Sequence, residues 1–148
     1  MTHLPDTATQ MRWPSTCQVN HQVDDPEARM RLMHTLADVY HNLGAVQQAA
    51  DLTSEALEFG QLTLGEDHPM TWDAAMLLAS IQTTRGYFAH AETLYAEVQA
   101  ALDRSDIEGH LRADILTSKA RLYMQTARYE DSLETGQAAV AYAREHLG

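Results

Sequence analysis

The sequence has a single cysteine, Cys17, among its 148 residues. One cysteine can form neither an internal disulfide nor a metal site built from several thiolates, and it is compatible with a reducing compartment. The amino terminus has no basic start followed by an apolar run, so we expect no secretory signal. No apolar stretch approaches the length that spans a bilayer. These features predict a cytoplasmic protein that does not contact a membrane.

Positive charge is also scarce. Lys119 is the only lysine beside nine arginines, whereas Asp and Glu number 21, which gives a net charge of −11. An acidic chain repels phosphate backbones, so nucleic acid is not an expected partner. We interpret acidic pairs such as Glu66-Asp67 and Glu130-Asp131 as solvated surface. Attraction of basic partners is the alternative interpretation.

Motifs that would announce catalysis do not occur in the sequence: there is no phosphate-binding loop ending in GK[ST], no GxSxG, no HExxH and no CxxC. One polar group stands out, because His34, Asp38 and His41 are four and three residues apart and share a helix face. With a fourth ligand they could hold a metal, or they could make partner binding sensitive to pH. We interpret them as the polar face of a helix. We predict no enzyme, no cofactor and no metal.

Glycine and proline are few and hydrophobic residues make up 45%, which suits an ordered helical protein. Residues 1–23 differ, because Pro5 and Pro14 interrupt any helix there and no hydrophobic period is sustained. We predict a flexible amino-terminal arm over 1–23 and a single ordered domain over 24–148.

The ordered part repeats. Shifting the sequence by 42 and then by 41 positions aligns Ala37, Ala79 and Ala120, and likewise Gly44, Gly86 and Ala127. A period that survives two shifts is typical of a repeat array. The repeats run over about 24–66, 67–104 and 105–148. Each is predicted to contain a helix, a tight turn at the Gly or Ala position, and a second helix.

Start signals mark each first helix. Asp24-Asp25-Pro26-Glu27 opens the first, His68-Pro69 the second, and Ser105-Asp106-Ile107-Glu108 matches a capping box for the third. His68 is expected to bond to the backbone of its own turn. In the first helix an apolar stripe is predicted to face inward: Met33, Leu36, Ala37, Tyr40 and Leu43.

The last helix is predicted over Tyr129–His146, with apolar residues that include Leu133 and Val140. In the first and second helices of each pair, Ala recurs where two antiparallel helices can approach closely only if the side chains are short. Each hairpin alone leaves an apolar face open, so stability is expected to come from stacking neighbours.

The pattern Leu-Ala-x-x-Tyr-x-x-x-Gly at Leu36–Gly44 resembles a tetratricopeptide repeat (TPR). The period and the linker Leu64–Thr71 resemble more specifically the kinesin light chain-like repeats, and the resemblance covers about Asp25 to Gly148. It implies an all-α fold, an α-α superhelix (solenoid) of three stacked antiparallel helical hairpins. Family members often carry Asn just before the Leu-Ala pair, where this chain has Thr35, Leu77 and Ser118.

The resemblance implies a protein–protein interaction module that binds a peptide or protein segment in a concave groove, as an adaptor or scaffold. First helices would line this groove with Arg31, His34, Asp38, His41, Asp73, Met76, Ser80, Thr83, Asp114, Thr117, Arg121 and Met124. Two alternatives stay open. One is a sensor or oligomerisation fragment of a larger STAND-type regulatory ATPase. The other is a self-associating scaffold, in which the Tyr129–His146 helix forms a homodimer.

Overall fold

The computed structural model describes residues 25–148, and this part of the chain consists of six α-helices without a strand. They are α1 (Pro26–Asn42), α2 (Val46–Thr63), α3 (Pro69–Arg85), α4 (Phe88–Ser105), α5 (His110–Gln125) and α6 (Tyr129–His146). The predicted all-α class is confirmed. The predicted arm over 1–23 lies outside the described residues.

The helices form three hairpins, α1/α2, α3/α4 and α5/α6, stacked in chain order because α2 packs on α3 and α4 packs on α5. The first helices also contact one another, α1 with α3 and α3 with α5. Between Pro26 and His146 the second helices make no such contact with each other. The first helices therefore form the inner layer of the stack, as expected for a solenoid.

Two helix starts are built as the sequence predicts. Asp25 accepts a hydrogen bond from the backbone N–H of Glu27 at 3.2 Å, ahead of Pro26. At α3 the Nδ1 atom of His68 accepts from the N–H of Met70 at 3.1 Å. Each cap satisfies one of the N–H groups that the first turn of a helix leaves unpaired.

The linker before α3 is fastened by two buried side chains of that helix. The hydroxyl of Thr71 donates to the carbonyl of Gly65 at 2.9 Å, and the indole N–H of Trp72 donates to the carbonyl of Glu66 at 2.9 Å. Both side chains are almost fully buried. Because an unpaired buried donor is costly, these two bonds favour one linker conformation.

The predicted capping box at Ser105–Glu108 is wrong. α4 continues through Ser105, and α5 begins only at His110, after Gly109, which has no side chain to cap with. The N–H of Gly109 donates instead to the hydroxyl of Tyr142 in α6 at 2.8 Å. The start of the third unit is thus held by a residue distant in sequence, which a local pattern does not reveal.

Small residues lie where the helices of a hairpin cross. Ala37 and Ala79 on the first helices, and Ala49 and Ala91 on the second, are completely buried. A short side chain at these positions lets two helix axes approach closely. The apolar core extends from there across the hairpins and is largest around the second unit, where α3, α4 and α5 meet.

The predicted inward stripe of α1 is only partly correct. Met33 and Ala37 are buried, but Leu36, Tyr40 and Leu43 are 43%, 41% and 76% exposed. The described helices that contact α1 are α2 and α3, and both lie on one side of it. The other side of α1 has apolar side chains that no helix within residues 25–148 covers.

Turns between paired helices use a left-handed residue at equivalent positions. The φ angles are +83° at Gly44 and +85° at Gly86, and Ala127 adopts +60°. Glycine reaches this conformation without a steric penalty, whereas alanine does so at a cost of about 1 kcal/mol. The prediction that Ala127 takes the place of the turn glycine is confirmed, and the substitution leaves strain in the third hairpin.

This strain predicts opposite effects for two reciprocal substitutions. Ala127→Gly should raise the free energy of unfolding by about 0.5 kcal/mol, since the relieved strain exceeds the added freedom of the unfolded chain. Gly86→Ala should lower it by about 1 kcal/mol. No atom lies within 4 Å of the Cβ that alanine would add at Gly86, so only the backbone angle matters. Urea denaturation followed by circular dichroism measures both changes, and a reversed sign for either would contradict this explanation.

Candidate functional site

All twelve residues predicted to line the groove lie on α1, α3 and α5, the helices of the inner layer. Most of them are exposed or half-buried, as a binding surface requires. They do not form one continuous site, however. The structure divides them between a pocket at the α1–α3 seam, a region around α3 and α5, and a cleft at the carboxyl-terminal end of the array.

The α1–α3 seam contains a pocket of about 200 Å³. It brings together three of the predicted residues, Arg31, His34 and Asp73, over an apolar base that includes Met30 and Met70. Further along the same seam, Nε2 of His41 lies 3.3 Å from the hydroxyl of Thr84. Met30 and Met70 were not predicted as part of the site, because the helical period assigns both positions to the core. Their side chains nevertheless line the pocket.

Asp73 lies at the electrostatic centre of the inner face. Burial raises the pKa of the Asp73 carboxyl above its usual value, electrostatic interaction with His34 lowers it, and electrostatic interaction with Asp114 raises it. His34, Asp73 and Asp114 come from α1, α3 and α5, so all three inner helices converge here. A carboxylate that is disfavoured in this way is stabilised by any cation that docks beside it.

Tyr95 of α4 lies beneath this inner face, on a second helix. Its side chain is almost fully buried, which raises the pKa of its hydroxyl, while hydrogen bonds to Ser118 and Thr83 lower it. Arg121 is close enough to lower it further. The sequence places Tyr95 correctly in the core but gives no sign that its hydroxyl supports the groove.

The remaining predicted residues of α5 lie elsewhere. Thr117, Arg121 and Met124 line a cleft of about 750 Å³ between α5 and α6, together with Leu133 and Val140 of α6. This cleft is mainly apolar and widely open. It is the surface on which a further first helix would pack if the array continued.

A cavity of about 330 Å³ on the opposite side of the array was not predicted. It lies between α2 and α4, with the buried Trp72 among its lining residues and Glu97 and Arg104 beside it. This space exists because the second helices do not touch one another. It gives the outer face a concave surface of its own. An experiment that tests binding to the inner face therefore needs a control variant on the outer face.

Over residues 25–148, no three side chains from His, Cys, Asp and Glu are grouped so that they could hold a metal ion. Over the same residues, no helix has both the length and the apolar character needed to cross a membrane.

The raised pKa of Asp73 makes a prediction about stability. The folded protein binds a proton at Asp73 more readily than the unfolded chain does, so this group lowers stability as pH rises from the ordinary pKa of 3.8 through the folded value. Asp73→Asn removes that cost. It should raise the free energy of unfolding at neutral pH, and the gain should disappear below the ordinary pKa.

Asp51→Asn is the matched control, because Asp51 is an exposed carboxylate on α2 that bonds only to Gln47 of its own helix. Denaturation curves at several pH values provide the comparison. An equal gain at acidic and neutral pH for Asp73→Asn would mean that its carboxylate charge is not the cause.

Comparison with known proteins gives matches in structure and none in sequence. No family model matches the chain, and no curated protein sequence matches it. The structure of BtubC (BKLC) from P. vanneervenii is 23% identical with a TM-score of 0.74, over 82% of this chain and 48% of that one. The TPR domain of Arabidopsis FLU is 14% identical with a TM-score of 0.72, over 81% of this chain and 98% of the domain.

The chain spans about half the length of BtubC and matches nearly the whole of the FLU domain. Identities this low establish a likeness in fold, and the predicted TPR and kinesin light chain-like resemblance is confirmed at that level. Six helices in three stacked hairpins, with first helices on the inside, agree with it. The chain has the fold of a tetratricopeptide repeat domain, a helical solenoid.

Proposed function

We propose that this protein is a protein-interaction module whose inner face binds an extended peptide or protein segment, as an adaptor or scaffold. The observation that carries the proposal is the layering of the helices. The first helices touch one another from unit to unit along the inner side, and the described second helices do not touch one another. Extended inner surfaces of solenoids suit chains that lie along them.

The charges on this surface favour a segment with a positive group at its centre. Asp114 lies close enough to Asp73 for its charge to raise the pKa of the Asp73 carboxyl, which burial raises as well. A Lys or Arg side chain beside these two residues would stabilise the Asp73 carboxylate. Arg31 and Arg121 lie toward the two ends of the surface, where they would attract acidic residues flanking that central cation.

The same proposal makes the partner a protein rather than nucleic acid, because a net charge of −11 repels phosphate backbones. It assigns the chain a binding role and no reaction. It also places the protein in the cytoplasm, in keeping with a chain that has a single cysteine.

The test begins with a phage-displayed library of random dodecamer peptides selected on the immobilised protein. Fluorescence anisotropy then compares the affinity of the selected peptides for the natural protein and for the double variant Arg31→Glu with Arg121→Glu. Reversing two charges at the edge of the binding surface should change the affinity about 3-fold to 10-fold, with helicity retained.

The control is Arg104→Glu with Leu62→Glu and Ala96→Glu, which makes the same change in net charge at exposed positions of the second helices α2 and α4. Affinity for the selected peptides should be nearly unchanged in this variant. Peptides that respond to the control and ignore the inner-face variant would place the binding surface elsewhere. A library that yields no binder above background would argue against peptide recognition altogether.

A further inference from the structure

The two ends of the array have apolar faces that no described helix covers. At the amino-terminal end the head face consists of Leu32, Leu36, Val39 and Tyr40 on α1 and Leu43 directly after it, all at least 41% exposed. At the carboxyl-terminal end the tail groove runs between α5 and α6, lined by Ala120, Met124, Leu133, Gly136 and Val140. The junctions between units inside the array show which element packs against each of these surfaces.

Inside the array, each groove between two paired helices receives the first helix of the next unit. α3 inserts Ala74 and Ile81 among the buried residues of α1 and α2. α5 inserts Ile115 and Leu122 among those of α3 and α4. All four side chains are 0% or 1% exposed. These residues are the contacts by which a first helix seats on the unit before it.

The head face has apolar residues at the same repeat positions, but no described groove receives them. The repeat offsets of 42 and 41 align Leu32 with Ala74 and Ile115. They align Val39 with Ile81 and Leu122 in the same way. Leu32 and Val39 are 46% and 47% exposed, whereas their four counterparts are buried. α1 therefore presents the seating surface of a first helix to solvent.

The tail groove is the complementary half. Leu133 and Val140 of α6 align with Ala50 and Leu57 of α2, which pack under α3. Ala50 is 2% exposed, but Leu133 is 64% and Val140 is 51% exposed. α5 and α6 thus form a repeat groove in which the next first helix is missing from the described chain.

The sizes of the two surfaces also agree. Gly136 stands in the tail groove where α4 has Tyr95 and α2 has Thr53, so this groove has space that the inner grooves lack. The head face offers Leu32 where α3 offers Ala74 and α5 offers Ile115, so its side chain is within the range of sizes that the inner grooves accept.

We propose that copies of this chain associate head to tail, with the α1 head face of one copy seated in the tail groove of the next. The contact repeats the geometry of the junctions inside the array and continues the stack of hairpins. It does not require a bound peptide, although Arg121 and Met124 border both the tail groove and the proposed peptide surface. Because it joins two different surfaces, it does not close after two copies, unlike a symmetric dimer formed by two α6 helices.

The test uses sedimentation velocity and light scattering on the full chain, under reducing conditions so that Cys17 cannot cross-link copies. The molar mass of the natural protein should rise continuously with concentration beyond that of a dimer. The head variant Leu32→Asp with Val39→Asp and the tail variant Leu133→Asp with Val140→Asp should each be monomeric alone. A mixture of the two should form a 1:1 complex, because each keeps the surface that the other lacks.

All four positions are exposed, so the helicity of both variants should equal that of the natural protein. Leu62→Asp with Ala96→Asp, at exposed positions off both end faces, is the control and should associate like the natural protein. A natural protein that stays monomeric, or that stops at a dimer, would overturn the proposal. So would a head variant that dimerises by itself, which would point to pairing of two tail surfaces through α6.

Discussion

The whole array depends on the close crossing of the two helices in each hairpin. Ala37, Ala49, Ala79 and Ala91 are completely buried at the first two crossings. At the third, the hydroxyl of Ser132 donates to a carbonyl of α5 at 2.8 Å, so a hydrogen bond accompanies the close approach. The crossing sets the width of the groove between paired helices, and that groove determines how the next unit docks. The surface proposed for peptide binding and the surfaces proposed for contact between copies both depend on this one spacing.

The sequence was a good guide wherever the determining contact is local. Helix starts at Asp25 and His68, the left-handed Ala127 and the bounds of the last helix all depend on residues within one turn of each other. The period of 42 likewise predicted three hairpins. Features of this kind depend on residues that are close in sequence, so they can be recognised without coordinates.

The failures share a different cause. A helical period indicates that a face is apolar but not which neighbouring helix covers it. Leu36 and Tyr40 were therefore expected in the core, although both are exposed. The third unit begins with help from Tyr142, more than thirty residues away. The twelve residues predicted for the groove all lie on the inner helices, and their role in binding stays a prediction. The electrostatic interaction of Asp73 with His34 and Asp114 was not predicted, because it involves residues from three units.

The junctions between units are unequal, and this has a mechanical consequence. α3 buries eight residues along its length, whereas α5 buries only Ile115, Leu122 and Tyr123, and α5 packs less extensively on the unit before it. In a solenoid the stability of each part is the sum of its own hairpin and its neighbouring interfaces. Thermal opening should therefore begin at the α4–α5 joint. A segment bound between Asp73 and Asp114 would contact the units on both sides of that joint. Binding at the inner face would therefore make the whole array more rigid.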